Sequence, residues 1–191
     1  MELRDEQTDA PGQSATLSPA VLQRLPERGA WSVESYLTTF DRGGVEFVEG
    51  TLEPLPLPGN GHQLLVRVLF QMRLDYLAIE RICLGPSRLR IDSDRFREPD
   101  LFVLPFDASR SADAKALAAT YHDAAEFCLE VVSEGNLPRE RDYHQKPADY
   151  AVVGVREYWV VDPFERAVAV WRRDASGELI ASGTARGDTP V

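Results

Sequence analysis

Glu46, Asp100 and Glu130 each interrupt an apolar stretch: Glu46 stands between Val45 and Phe47, Asp100 between Pro99 and Leu101, and Glu130 between Leu129 and Val131. A carboxylate in such a setting is costly to bury without a basic group, a hydrogen-bond network or a metal ion beside it. Taken singly, each reads as a structural acid or as a charge on an exposed strand face rather than as a functional group. Together they gain meaning. Neighbouring strands of a sheet lie about 4.8 Å apart, so carboxylates at facing positions on the Asp100 and Glu130 strands can converge on one cation. Mg²⁺ or Mn²⁺ suits that pair, because a hard ion that takes one or two carboxylates keeps coordination positions open for a phosphate and a nucleophile. Zn²⁺ suits it less: His62, His122 and His144 show no His-x-x-x-His spacing.

Lys146 follows Glu130 on the next helical segment, where Asp142, Lys146 and Tyr150 fall at four-residue intervals on one face. That spacing supports two readings. One is an ordinary Asp142–Lys146 salt bridge on the helix. The other is an ammonium returned to the acids by the strand-then-helix turn.

The elements needed to position these groups are legible in the pattern. Ser18–Leu25 and Ser32–Phe40 read as short helices divided by a breaker at Pro26–Gly29, and residues 1–17 read as a flexible tail ahead of one domain over 18–191. Gly44–Val48 and Thr51–Leu55 alternate around Glu49-Gly50, which predicts a hairpin. Asn60–Glu80 predicts a long helix with Asn60 as cap and Leu64, Leu65, Val68, Leu69, Met72 and Tyr76 on its buried face. Strands are expected over Arg81–Leu84, Arg88–Ile91, Asp100–Leu104 and Glu126–Val132, the last central because it is almost continuously apolar. Pro138–Val153 predicts a helix closed by Gly154, Glu157–Val161 a buried strand, and Ala167–Trp171 with Glu178–Ala181 an edge hairpin. The order gives an α/β fold, a mixed sheet flanked by helices.

Composition sets limits on function. A net charge of -10 argues against a protein that coats nucleic acid through its backbone phosphates. Local clusters survive that argument: Arg88, Arg90, Arg95 and Arg97, then Arg139 and Arg141, read either as nucleic-acid contacts or as a solvated face. With 43% hydrophobic residues the chain can build a real core. The start lacks a signal-peptide layout and no long uninterrupted apolar run exists, so a soluble cytoplasmic protein without membrane partners is expected. Cys83 and Cys128 read as buried free thiols. The Trp159 and Trp171 region offers an apolar surface for a homodimer.

Several ordered blocks then carry a resemblance. Arg97-Glu98-Pro99-Asp100-Leu101-Phe102-Val103, Leu129-Glu130-Val131-Val132-Ser133, Asn136, Arg141-Asp142-Tyr143, Lys146, Tyr150, Gly154-Val155 and Glu157-Tyr158-Trp159-Val160-Val161-Asp162-Pro163, together with Glu46, Gly50 and His62, resemble the Uma-type restriction endonucleases of the PD-(D/E)XK nucleases. The resemblance implies a restriction-endonuclease-like fold and metal-dependent phosphodiester hydrolysis, with DNA as substrate. It makes Asp100 and Glu130 the motif acids and adds the Val131 main-chain carbonyl as a metal ligand. Val132 occupies the place of the archetypal lysine, whose role passes to Lys146 on the helix; Glu46 is an additional acid, and Ser133-Glu134-Gly135 departs from the Ser-Pro-Ser of many relatives. His62, Arg97 and Arg141 are the candidate substrate contacts. The rival readings are a binding or assembly module that keeps the fold without turnover, and ordinary edge charges on an α/β scaffold.

Overall fold

The computed structural model describes residues 29, 31–107 and 120–187, so the tail expected over 1–17 and the helix expected over 18–25 lie outside the described residues. Helix α1 (Val33–Thr39) starts on Ser32, whose hydroxyl accepts from the Ser35 N–H. Strands β1 (Val45–Val48) and β2 (Thr51–Pro54) form the expected hairpin. Its turn residues Glu49 and Gly50 both take positive φ, as a two-residue hairpin turn requires, and a Cβ on Gly50 would meet the Gly29 backbone at 2.8 Å.

Helix α2 (Asn60–Leu74) is shorter than expected and is capped by Gly59 without a side-chain bond, so Asn60 is its first helical residue and not its cap. Its inward face also differs. Val66 is buried, with Leu65, Leu69 and Phe70 packed beside it, whereas Leu64, Val68, Met72 and Tyr76 are exposed. The helix carries two adjacent apolar stripes, and four-residue spacing alone does not say which one the sheet takes.

Strands β3 (Ile82–Leu84), β4 (Leu89–Asp92), β5 (Arg95–Arg97), β6 (Leu101–Val103) and β7 (Phe127–Val131) follow. The chain then runs helically from Asn136 to Val152 as α3 (Asn136–Glu140), a π-helical turn (Arg141–Gln145) and α4 (Lys146–Val152). Pro147 has no N–H to give to the preceding turn, and the helix widens just ahead of it. The Tyr158 hydroxyl donates to the Asp142 carbonyl at 2.8 Å inside that wide turn. Strands β8 (Glu157–Asp162), β9 (Ala167–Arg173) and β10 (Leu179–Arg186) complete the order.

Two sheets result where one was expected. The larger runs β10-β9-β8-β7-β6-β3, with β7 and β8 parallel and the other neighbours antiparallel; the smaller runs β2-β1-β5-β4. Strand β5 escapes the pattern because Arg-Phe-Arg holds a single apolar residue, yet Arg97 is buried. Strand β7 is central and buried on both faces. Leu129 and Val131 meet α2, while Cys128 lies in the cluster that includes Tyr150 of α4. Trp159 packs in the first of these clusters and Trp171 against the second, on opposite faces of the sheet, so they do not form one dimer surface. Among the described residues, no helix is long and apolar enough to cross a membrane.

Candidate active site

Glu46 sits on β1, between β2 and β5, and is fully buried. Asp100 precedes β6, Glu130 lies on β7, and Lys146 opens α4. The Lys146 ammonium, 1% exposed, stands 2.7 Å from Glu130 Oε1, 3.1 Å from Asp142 Oδ1 and 3.4 Å from Glu46 Oε1. Both readings of this lysine are therefore realised at once: the salt bridge to Asp142 forms, and it forms among the strand acids. The wide turn and the four-residue spacing together deliver Asp142 and Lys146 to the same point.

Asp100 belongs to the same cleft, of about 920 Å³, as Glu130, Val131, Arg141, Asp142 and Lys146. Its Oδ2 accepts from the Val131 N–H at 2.8 Å and lies 3.1 Å from His62 Nε2 at the start of α2. Glu130 Oε1 accepts from the Tyr150 hydroxyl as well as from Lys146. Among the described residues these contacts fall on one oxygen of each acid. Oδ1 of Asp100 and Oε2 of Glu130 are the oxygens that could hold a cation. Hard oxygens fit Mg²⁺ or Mn²⁺, which complete their shells with water and substrate. Among the described residues, no three His, Cys, Asp or Glu side chains are grouped to hold a metal.

The electrostatics separate the acids. Burial alone would raise the pKa of Glu46, but Lys146, Arg97, Arg141 and the Glu98 N–H together hold it at about 2. Glu130 is pushed up to about 8 by burial, with Asp142, Asp100 and Glu46 adding to the rise and Lys146 opposing it. Burial would lower the pKa of Lys146, yet Asp142, Glu130 and Glu46 raise it, so the ammonium stays charged. For His62, burial is likewise outweighed by Asp100, through its hydrogen bond and its charge, and the imidazole pKa is raised.

The remaining candidates divide. Arg141 lines the cleft, its Nε 3.5 Å from Asp142 and 3.8 Å from Glu46. Arg97 does not line it: the guanidinium is buried beneath, bonded to Glu46 at 2.9 Å, Glu53 at 2.8 Å and Asp149 at 2.7 Å. The first arginine cluster divides: Arg88 pairs with buried Glu98 and Arg97 with buried Glu46, Arg95 bridges exposed Glu49 and buried Asp149, and Arg90 pairs with exposed Asp123. Arg88 and Arg97 brace the acids and are turned away from solvent, while Arg90 fits the expected solvated face. Cys83 is only partly buried, whereas Cys128 is buried as expected.

Sequence reasoning names Tyr150 and Glu98 but gives neither a role in the site. Tyr150 shares the helical face of Asp142 and Lys146, which was the available signal; Glu98, adjacent to the arginines, accepts from Arg88 at 3.1 Å and the Gly44 N–H at 2.7 Å.

A mixed sheet that sets one acid just ahead of β6 and another on the neighbouring β7, with a lysine from the following helix beside them and helices on its faces, defines a restriction-endonuclease-like α/β protein. The chain belongs to the Uma2 family, described as "Putative restriction endonuclease", whose model matches residues 34–190. Its fold is similar to the crystal structure of a "putative nuclease belonging to DUF820" from Anabaena variabilis ATCC 29413, with a TM-score of 0.55 and 19% identity over 72% of this chain and 75% of that one. No curated protein matches the sequence.

Proposed function

We propose that this protein is a divalent-metal-dependent endonuclease that hydrolyses phosphodiester bonds in DNA. The observation that carries the reading is the meeting of Lys146 with Glu130 at 2.7 Å on the cleft that also holds Asp100. Asp100, Glu130 and the Val131 carbonyl would hold Mg²⁺ or Mn²⁺. When bound, the ion supplies positive charge against the attacked phosphate and eases ionisation of water near neutral pH. Lys146, kept protonated by its acids, offers charge to the anion that develops at phosphorus. Glu46 lies behind it and fixes its position. His62 orients Asp100, and Arg141 faces the phosphate within the cleft.

Cation binding tests this directly. At about a hundredfold excess over its dissociation constant, a ligand specific for the folded state adds about 2.7 kcal/mol, or several degrees in Tm. Mg²⁺ or Mn²⁺ is expected to raise the wild-type Tm by that amount and to support DNA cleavage, read on single-stranded DNA beside supercoiled plasmid; Asp100→Asn loses both. An equal rise in the variant would reject Asp100 as a ligand. If the wild type shows neither effect, a nuclease-fold binding module is left.

A homodimer is part of the proposal, now assigned to α2. Leu64, Val68 and Met72 form an outward apolar stripe along the helix, with exposed Tyr76 in the turn that follows it. Light scattering is expected to give twice the chain mass, and Val68→Glu with Met72→Glu to give one chain mass. A wild-type mass of one chain would remove the dimer and leave the chemistry untouched.

A further inference from the structure

We infer that the cleft is shaped for a strand with unpaired bases, so that the substrate is single-stranded DNA, or an unpaired segment of it, and not closed duplex. For cleavage this rests on the nuclease reading above; for binding it stands by itself.

The first observation is the chemistry of the wall. The link from β2 to α2, Pro54-Leu55-Pro56-Leu57-Pro58, lies on the cleft, and Leu57 is 64% exposed there. Phe40, Leu84 and Pro86 add further apolar lining. Among the described residues the cations on the same lining are few: Arg42 and Arg67, both exposed, with Arg141 and Lys146 deeper. Closed duplex turns its sugars and phosphates outward, and a surface that holds it draws on many Lys and Arg side chains. Here the net charge is -10, and Arg88, Arg95 and Arg97 are each bound to a buried acid. An unpaired base presents an apolar face instead, and a largely apolar wall with a few cations along the backbone path is the complement of that ligand.

The second observation is depth. Glu130 and Lys146 are only 4% and 1% exposed, although they line the cleft. A phosphate must descend to reach them. The cleft volume of about 920 Å³ lies within the range, about 300–1,000 Å³, of pockets that enclose a single small ligand. That is room for a few nucleotides of a flexible strand. A rigid two-stranded helix can present only its edge to such a space.

The test compares one labelled oligodeoxynucleotide as a single strand and annealed to its complement. Fluorescence anisotropy in Ca²⁺ reads binding, and product formation in Mn²⁺ reads cleavage. The single strand is expected to bind at least about tenfold more tightly, the scale of one base–wall contact. Leu57→Asp and Arg67→Glu, both at exposed positions and so tolerable to the fold, are each expected to weaken that binding about tenfold with little effect on duplex. Duplex bound as tightly as the single strand overturns the inference, as does failure to bind either. A single strand that binds selectively and stays uncut sinks the nuclease reading but upholds this one. Duplex cut as fast as single strand does the reverse.

Discussion

Replacing Lys146 with alanine is expected to abolish detectable cleavage and to lower the thermal midpoint by about 10 °C at pH 7. The two effects share one origin. The ammonium is buried and lies within 3.4 Å of Glu46, Glu130 and Asp142, so its removal leaves three acids in a dry site with only Arg97 and Arg141 as nearby compensation. Breaking a buried ion pair from one side costs about 3–5 kcal/mol, and about 1 kcal/mol moves Tm by about 2–4 °C in a chain of this size. Loss of one charge preorganised toward the reacting phosphate removes a further factor of about 10²–10³ in rate. Lys146→Met separates charge from volume: it keeps the packing, so the part of the destabilisation that persists is electrostatic. That part is expected to shrink as the pH falls and the acids take up protons. Full cleavage by either variant at a temperature where it is folded would take Lys146 out of the reaction. An unchanged Tm would show that its ion pairs contribute nothing to stability.

How far the sequence reveals this site depends on the kind of signal each residue leaves. Asp100 and Glu130 are visible because an acid in an apolar strand has few inexpensive explanations. Lys146 is visible as part of a helical face shared with Asp142 and Tyr150, and the resemblance to the nuclease family selects it. The second sheet is not visible, because β5 has the sequence Arg-Phe-Arg and owes its burial to partners distant in the chain: Glu46, Glu53 and Asp149 around Arg97. An arginine run looks the same on paper whether it faces solvent, nucleic acid or three buried carboxylates. The orientation of α2 is hidden for a related reason. Leu64, Val68 and Met72 satisfy helical periodicity as well as Leu65, Val66 and Leu69 do, and only the neighbouring β7 surface decides between them. The wide turn before Lys146 has a local cause in Pro147, whose missing N–H is visible in the sequence.

Glu130→Gln is expected to make the protein more stable at pH 8 while removing cleavage, and the pH dependence of that gain is the informative part. The carboxyl of Glu130 is pushed up from 4.5 to about 8 by burial and by the acids around it. Between those values the unfolded chain has released a proton that the folded chain still holds. The stability it contributes is therefore complete below pH 4.5 and is lost as the pH rises through about 8. Glutamine accepts from Tyr150 and Lys146 as the acid does but has no proton to lose. The variant and the wild type should thus melt together near pH 4.5 and diverge above it, by about 4 kcal/mol at pH 8 and at most about 5 kcal/mol beyond it. Glu46 works in the opposite sense. Held at about 2, it stabilises the fold above pH 4.5 and loses that contribution as the pH falls from there toward 2, so both proteins should fail together in acid. Mn²⁺ added at pH 8 should narrow the gap, because the cation supplies to wild-type Glu130 the compensation that the variant no longer needs and no longer binds. Urea unfolding at pH 4.5, 6 and 8, with and without Mn²⁺, measures each of these differences. A variant less stable than wild type at pH 8 would mean that Lys146 and Tyr150 fully compensate the Glu130 charge, and that the site carries no deficit of positive charge for a divalent ion to fill.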